Sequence, residues 1–99
     1  MESQRDPRRR PTHPGTFLRE IVMAHLKITQ GDLAAHLGVS RVSVSELLNQ
    51  RRGVSAEMAL RLAAAFPETS PESWLRMQEA VDIWDARQKS KIAVKPIAA

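Results

Sequence analysis

Apolar residues recur at helical spacing in five stretches of the chain, and the two-residue alternation of a half-buried strand is absent. The first stretch starts at Pro14 and runs to about Ala24, and its apolar face carries Phe17, Leu18, Ile21 and Val22. The second stretch, from Gln30 to Leu37, follows the N-cap residue Thr29 and ends at Gly38. The pattern therefore predicts a chain that begins with two short amphipathic helices.

Three further helices are predicted by the same combination of cap residue and spacing. The third follows Ser40, and the fourth follows Ser55 and stops before Pro67. The fifth starts at Ser70-Pro71, with Pro at the favoured first position, and continues nearly to Arg87. The predicted fold class is all-α, with five helices.

The two ends of the chain differ in composition from this helical middle. Residues 1–12 are rich in Arg, residues 88–99 contain three Lys and no acid, and neither segment has an apolar period. We expect both segments to be flexible basic tails, which leaves residues 13–87 as the folded domain.

The net charge of +4 is unevenly distributed within the folded domain. Residues 28–55 hold three Arg against two acids, whereas residues 56–87 hold six acids against three Arg. The basic part is typical of a phosphate-binding surface, and the acidic part suits a basic partner.

Composition excludes several classes of chemistry. The chain has no Cys, and its three His, at positions 13, 25 and 36, lack zinc-ligand spacing and are expected at the surface. Asp32 and His36, near Ser40 and Ser43, are the one candidate catalytic group, and a hydrolase would also need a nucleophile held at an oxyanion site inside a pocket. We therefore expect no enzyme activity, catalytic residue, metal, cofactor or small-molecule ligand. Without a signal peptide or an apolar membrane span, the protein is expected in the cytoplasm.

The strongest signal lies in the stretch from Gln30 to Asn49, where two helices of eight and nine residues are predicted across a glycine turn. Ala34 is small where two such helices cross closely, and Gly38 permits the positive φ of a sharp turn. Seven residues fall at the offsets of a λ repressor type of helix-turn-helix: Gln30, Leu33, Ala34, Gly38, Val44, Leu47 and Asn49. The alternative is an ordinary helical hairpin.

In a helix-turn-helix protein, the third helix of this chain would present its first turn and outer row to the major groove of DNA. Candidate base-reading residues are Arg41, Val42, Ser45 and Glu46. Arg41 suits the O6 and N7 of guanine, whereas the role of Glu46 is left open between cytosine recognition and phosphate repulsion. Candidate phosphate contacts are Gln30, Ser40, Ser43, Asn49, Arg51 and Arg52.

The fifth helix carries more apolar bulk than a small domain with 4% aromatic residues is expected to need for itself. Since operators usually pair two half-sites, a helix-turn-helix protein needs a dimer contact. The candidate homodimer interface is Trp74, Met77, Val81 and Trp84, and the alternative is that both Trp pack inside the monomer.

Over residues 11–87 the chain resembles the HigA-type antitoxins of the xenobiotic-response-element group of helix-turn-helix proteins. The resemblance rests on several blocks: Pro11-Thr12-His13-Pro14-Gly15, Gly38-Val39-Ser40-Arg41, Leu48-Asn49-Gln50-Arg51-Arg52-Gly53-Val54-Ser55, Met58-Ala59-Leu60-Arg61-Leu62-Ala63 and Ser70-Pro71-Glu72-Ser73-Trp74-Leu75. It implies a homodimer that neutralises a RelE-like or HigB-like mRNA-cleaving toxin and represses its own operon by binding operator DNA.

Two alternatives to this function stay open at the level of sequence. A stand-alone transcriptional regulator would share the fold and lack a toxin partner, and a pure interaction module would bind protein without DNA. The toxin-binding surface is open as well, between the two tails and an acidic run formed by Glu68, Glu72, Glu79, Asp82 and Asp85.

Overall fold

A computed structural model describes residues 8–98, which form five helices joined by short loops and contain no strand. Helix α1 consists of an α-helical start, Pro14–Phe17, a π-helical middle, Leu18–Met23, and an α-helical end, Ala24–Leu26. The remaining helices are α2 Gln30–Leu37, α3 Arg41–Leu48, α4 Ala56–Ala65 and α5 Pro71–Lys89. The all-α, five-helix prediction is confirmed, and α1 and α5 each extend two residues beyond their predicted ends.

Side-chain caps start the helices where the sequence predicts them. The Thr29 hydroxyl accepts a hydrogen bond from the Asp32 amide at 3.0 Å, and the Asp32 carboxylate accepts one from the Thr29 amide at 3.2 Å. The hydroxyls of Ser40, Ser55 and Ser70 each accept a hydrogen bond from the amide three residues later. These caps satisfy amides that a helix leaves without a partner, so local sequence fixes where the helices begin.

The core fills the space enclosed by the five helices, and Trp74 is its largest side chain. The Trp74 ring meets Phe17 edge to face at a centroid distance of 5.8 Å, and its indole nitrogen donates to the Thr69 hydroxyl at 2.8 Å. Trp74 and Val81 are each 1% exposed, so neither has surface left for a second copy of the chain. The prediction that these two residues form a dimer interface is therefore wrong, because the monomer already buries both.

His13 also differs from its expected surface position. It is 4% exposed and is the N-cap of α1, where its Nδ1 accepts a hydrogen bond from the Gly15 amide at 2.9 Å. Pro11 is buried as well, so packing begins ahead of the predicted domain start at residue 13. Residues 1–7 of the predicted N-terminal tail lie outside the described residues, and residues 90–98 are exposed and non-helical.

Candidate DNA interface

Helices α2 and α3 form a compact pair around a tight turn. Ala34 is 2% exposed at their contact, and Gly38 takes the left-handed conformation, with φ of 75°. Arg61 of α4 donates to the carbonyl of Leu37 at 2.8 Å, which caps the C-terminal end of α2. The turn geometry that the sequence predicts is thus present, and α4 holds it in place.

The inner face of α3 is anchored in the core, which leaves its outer face on the surface. Val44, Leu47 and Leu48 are each at most 1% exposed. On the opposite side Arg41 and Val42 are exposed, and Ser45 lies half-buried one turn further along. The predicted base-reading row therefore shares one face of a helix whose orientation the core fixes.

The guanidinium of Arg41 has no hydrogen-bond partner among residues 8–98. Its Nε lies 3.7 Å from the position that a Cβ on Gly31 would occupy, so the side chain crosses the first turn of α2. An arginine without a protein partner keeps its donors for a ligand. The fork geometry of the group matches the two acceptors of guanine in the major groove.

Glu46 forms an ion pair with Arg52 in the loop after α3. Its Oε1 accepts hydrogen bonds from Arg52 Nη2 at 2.7 Å and from Arg52 Nε at 3.0 Å. Both hydrogen bonds use the same carboxylate oxygen of Glu46, and the pair offsets the charge that Arg52 would offer to a phosphate. Arg51, the neighbouring loop arginine, is exposed.

The remaining predicted phosphate contacts are engaged in local structure. The Ser40 hydroxyl donates to the Ser43 hydroxyl at 3.0 Å while it caps α3. Asn49 Nδ2 donates to the Ser45 carbonyl at 2.9 Å, and Gln30 is half-buried at the first position of α2. The hydrogen bonds of Ser40 and Asn49 therefore stabilise the two ends of α3 itself.

Two glutamines that the sequence analysis did not single out hold the loop between α3 and α4. Gln50 takes the left-handed conformation, with φ of 61°, and its Nε2 donates to the Thr16 hydroxyl at 2.8 Å. Gln78 of α5 accepts a hydrogen bond from the Val54 amide at 2.9 Å. Both contacts join residues at least 24 positions apart, so no local pattern signals them.

The described residues place no metal site beside this face. Residues 8–98 contain no group of three His, Asp or Glu side chains placed to hold a metal ion. In the same part of the chain, every helix is too short or too polar to cross a membrane.

A tightly packed helix pair, an outward row led by an exposed arginine and a basic loop beside it are the features of a helix-turn-helix DNA-binding protein. The helix-turn-helix family matches residues 18–74 of the chain. One relative, antitoxin HigA-1 of Vibrio cholerae serotype O1, is 42% identical over 97 residues, which cover 94% of this chain and 90% of the relative. The chain belongs to the helix-turn-helix family, on the branch that contains the HigA antitoxins.

Two solved structures extend the comparison. The antitoxin GraA is 43% identical, with a TM-score of 0.78 over 82% of this chain and 86% of GraA. Antitoxin HigA of Pseudomonas aeruginosa, solved with the higBA promoter, is 30% identical, with a TM-score of 0.78 over 89% of this chain and 99% of that protein. The fold and the placement of the helix pair are thus those of a known group of antitoxins.

Proposed function

We propose that this protein is an antitoxin that represses its own toxin–antitoxin operon by sequence-specific binding to operator DNA and neutralises a RelE-like toxin. The observation that carries the proposal is Arg41, which is exposed at the start of the outer row of α3 and has no hydrogen-bond partner among the described residues, in a chain similar along almost its whole length to HigA-1. A protein with this function acts in the cytoplasm, where its operator lies, and needs no catalytic residue.

DNA recognition follows from the chemistry of the α3 face. Arg41 donates two hydrogen bonds to guanine, and Val42, which is 64% exposed, meets a thymine methyl group. Ser45 contacts the next base edge along the groove. Arg51 contacts phosphate, and Arg52 does so when it leaves Glu46.

The test of DNA reading is a mobility-shift titration with the DNA upstream of the gene, at two salt concentrations. Arg41→Ala is expected to lose about 1–3 kcal/mol of discrimination between the operator and a copy with one guanine replaced. Arg76→Ala is the matched control. Arg76 is exposed on α5 and not on α3, so its substitution removes the same charge without changing the α3 face. Equal discrimination by both variants would refute the assignment of Arg41.

Toxin neutralisation is assigned to the acidic side of the molecule. Glu68, Glu72 and Glu79 are exposed, which suits a basic mRNA-cleaving partner. Asp82 accepts a hydrogen bond from Gln78, and Asp85 is paired with Arg10, so these two acids of the run already have partners.

Co-expression with the product of the adjacent gene tests the toxin partner. Rescue of growth by the full chain supports an antitoxin, and rescue that survives deletion of residues 1–9 and of residues 90–99 assigns binding to the folded domain. If no adjacent gene encodes a toxin and the protein still binds the operator DNA, the protein is a stand-alone regulator. Specific rescue without any DNA shift would instead indicate a protein-binding module.

A homodimer completes the proposal, since paired half-sites need two helix pairs held at a fixed separation. With Trp74 and Val81 inside the monomer, the remaining surface of the predicted interface is the half-buried Met77 and Trp84. Ile83, which is 44% exposed, lies beside Trp84 and adds apolar area there. We assign the dimer contact to this part of α5.

A further inference from the structure

The loop after α3 is held at both of its ends. At its start, Gln50 Oε1 accepts a hydrogen bond from Arg10 Nη1 at 2.7 Å, and Gln50 Nε2 donates to Thr16. At its end, the Val54 amide donates to Gln78 Oε1. Arg51 and Arg52 lie between these two anchors, so the anchors limit where their guanidinium groups can reach.

The first anchor connects the loop to α5 through the side chain of Arg10. Arg10 Nε and Nη2 donate to the two carboxylate oxygens of Asp85 at 2.8 and 2.9 Å, while Nη1 holds Gln50. This bidentate pair lowers the pKa of Asp85 and raises the pKa of Arg10, chiefly through the hydrogen bonds between them. Because a guanidinium is planar, fixing two of its nitrogens on Asp85 also fixes the third on Gln50.

The second anchor is a direct contact with α5. Gln78 is 8% exposed, and its Nε2 donates to Asp82 at 2.9 Å, which orients the amide. A Cβ on Gly53 would lie 2.8 Å from the amide carbon of Gln78, so the loop backbone rests directly on that side chain. A glycine at position 53 is what permits this approach.

Gln78, Asp82 and Asp85 follow one another at spacings of four and three residues, so they share one face of α5. We name this set the α5 polar face. We propose that Arg10 and the α5 polar face are positioning residues for DNA binding, which hold the loop so that Arg51 and Arg52 meet the phosphate backbone. The inference rests on the proposed DNA binding and assigns these residues no contact with DNA.

The decisive variant is Asp85→Asn, because charge alone and positioning predict opposite results. Removing a negative charge from a DNA-binding protein weakens its repulsion of phosphate and would tighten binding. If Asp85 acts through Arg10 on the loop, the same substitution loosens the loop and weakens binding. We expect the operator Kd of Asp85→Asn to rise about two- to fivefold, the range for losing an exposed ion pair.

Glu20→Gln is the matched control. It makes the same change in charge, and Glu20 also pairs with an arginine, Arg19 at 3.4 Å, but among residues 8–98 neither member of that pair has a hydrogen bond to the loop. Its Kd is expected to stay at the wild-type value or fall. The double variant Arg10→Met with Asp85→Asn keeps the wild-type net charge. Because the two residues act as one unit, it is expected to bind the operator no more weakly than Arg10→Met alone.

A second readout needs no DNA. In the free Asp85→Asn protein, amide hydrogen exchange at residues 50–54 is expected to be faster than in the wild type, with the amides of α4 unchanged. An Asp85→Asn protein that binds like Glu20→Gln, or whose loop amides exchange at the wild-type rate, overturns the inference and leaves the proposed function standing. A wild-type chain that fails to bind operator DNA at all overturns the proposed function and the inference together.

Discussion

Among single residues, Glu46 controls how much positive charge the loop after α3 offers to DNA. Its ion pair with Arg52 is 2.7 Å long, and the two side chains are 39% and 46% exposed, so the pair adds little to folding stability. We predict that Glu46→Gln releases Arg52 to bind phosphate. Operator binding becomes tighter, and the slope of log Kd against log salt concentration becomes steeper by about 0.9, the value for one additional phosphate contact.

The salt titration separates a new contact from a general change in charge. Glu20→Gln adds the same charge on α1 and should leave the slope at its wild-type value. A Glu46→Gln protein with an unchanged slope would mean that Arg52 stays away from DNA even when it is unpaired. If Glu46→Gln instead binds the operator more weakly and loses its preference at one base pair, Glu46 is a base-reading residue.

His13 makes stability depend on pH. Burial lowers the pKa of His13 below its ordinary value of 6.5, the positive charge of Arg10 lowers it further, and Asp82 and Asp85 act in the opposite direction. The neutral ring is the form that accepts a hydrogen bond from Gly15. In the unfolded chain the imidazole takes up a proton near its ordinary pKa, before the folded protein does, so acid favours unfolding.

The stabilising effect of neutral His13 is therefore complete above about pH 6.5 and is lost as the pH falls towards the lower pKa of the folded state. Urea unfolding measured between pH 7.5 and pH 5 should show this decline. His13→Asn keeps a side-chain acceptor at the N-cap and cannot titrate, so its stability should change less over the same interval. Parallel curves for the two proteins would show that other groups cause the decline.

Among the elements, the close contact between α1 and α3 depends on a single glycine. A Cβ on Gly15 would overlap the Leu47 carbonyl oxygen, so the start of α1 touches the backbone near the end of α3. We predict that Gly15→Ala destabilises the protein by about 1–3 kcal/mol, because backbone has to move to make room. The measurement is the free energy of unfolding in urea.

Gly31→Ala is the control for that prediction. A Cβ on Gly31 meets only side-chain atoms at ordinary distances of 3.7 Å or more, inside α2, so the substitution should stabilise the protein by about 0.5 kcal/mol through helix propensity. The opposite signs expected of two glycine-to-alanine changes distinguish packing from propensity. A Gly15→Ala protein as stable as the wild type would show that α1 can move away from α3 without cost.

Contacts between residues close in sequence could be predicted from the sequence, whereas contacts between distant residues could not. Helix starts at Thr29, Ser40 and Ser55 and the positive φ of Gly38 were predictable, because each depends on residues within three or four positions. The outer face of α3 followed from the same spacing. The contacts of Gln50 and Gln78 were not predictable, since their partners lie 24 to 40 positions away and are brought together only by the packed fold.

For the whole molecule, the two tryptophans of α5 have different roles. Trp74 lies in the core between Phe17 and Phe66, whereas Trp84, ten residues later, is only half-buried. Apolar periodicity placed both on one stripe, but it contains no information on how far the rest of the domain extends along the helix. The domain buries Trp74 and Val81 completely, whereas Met77 and Trp84 stay half-buried.

If two copies meet through the half-buried part of α5 around Trp84, Trp84 is the residue most able to hold them together, because large aromatic side chains dominate protein interfaces. We predict that Trp84→Asp raises the dimer dissociation constant roughly thirtyfold, which corresponds to a loss of about 2 kcal/mol. Sedimentation over a concentration series measures the change. Leu60→Asp, which also places an acid at an exposed apolar site, on α4, should keep the wild-type dimer.

DNA binding by the same variant then tests what the dimer is for. Binding to a single half-site should match that of Leu60→Asp, which adds the same charge, since Trp84 lies on α5 and the base-reading row is on α3. Binding to the complete operator should fall towards the half-site value, because two linked helix pairs bind more tightly than two separate ones. If Trp84→Asp still sediments as a dimer, the interface lies on another surface. The exposed Ile92 and Val94 of the C-terminal segment are then the next residues to substitute.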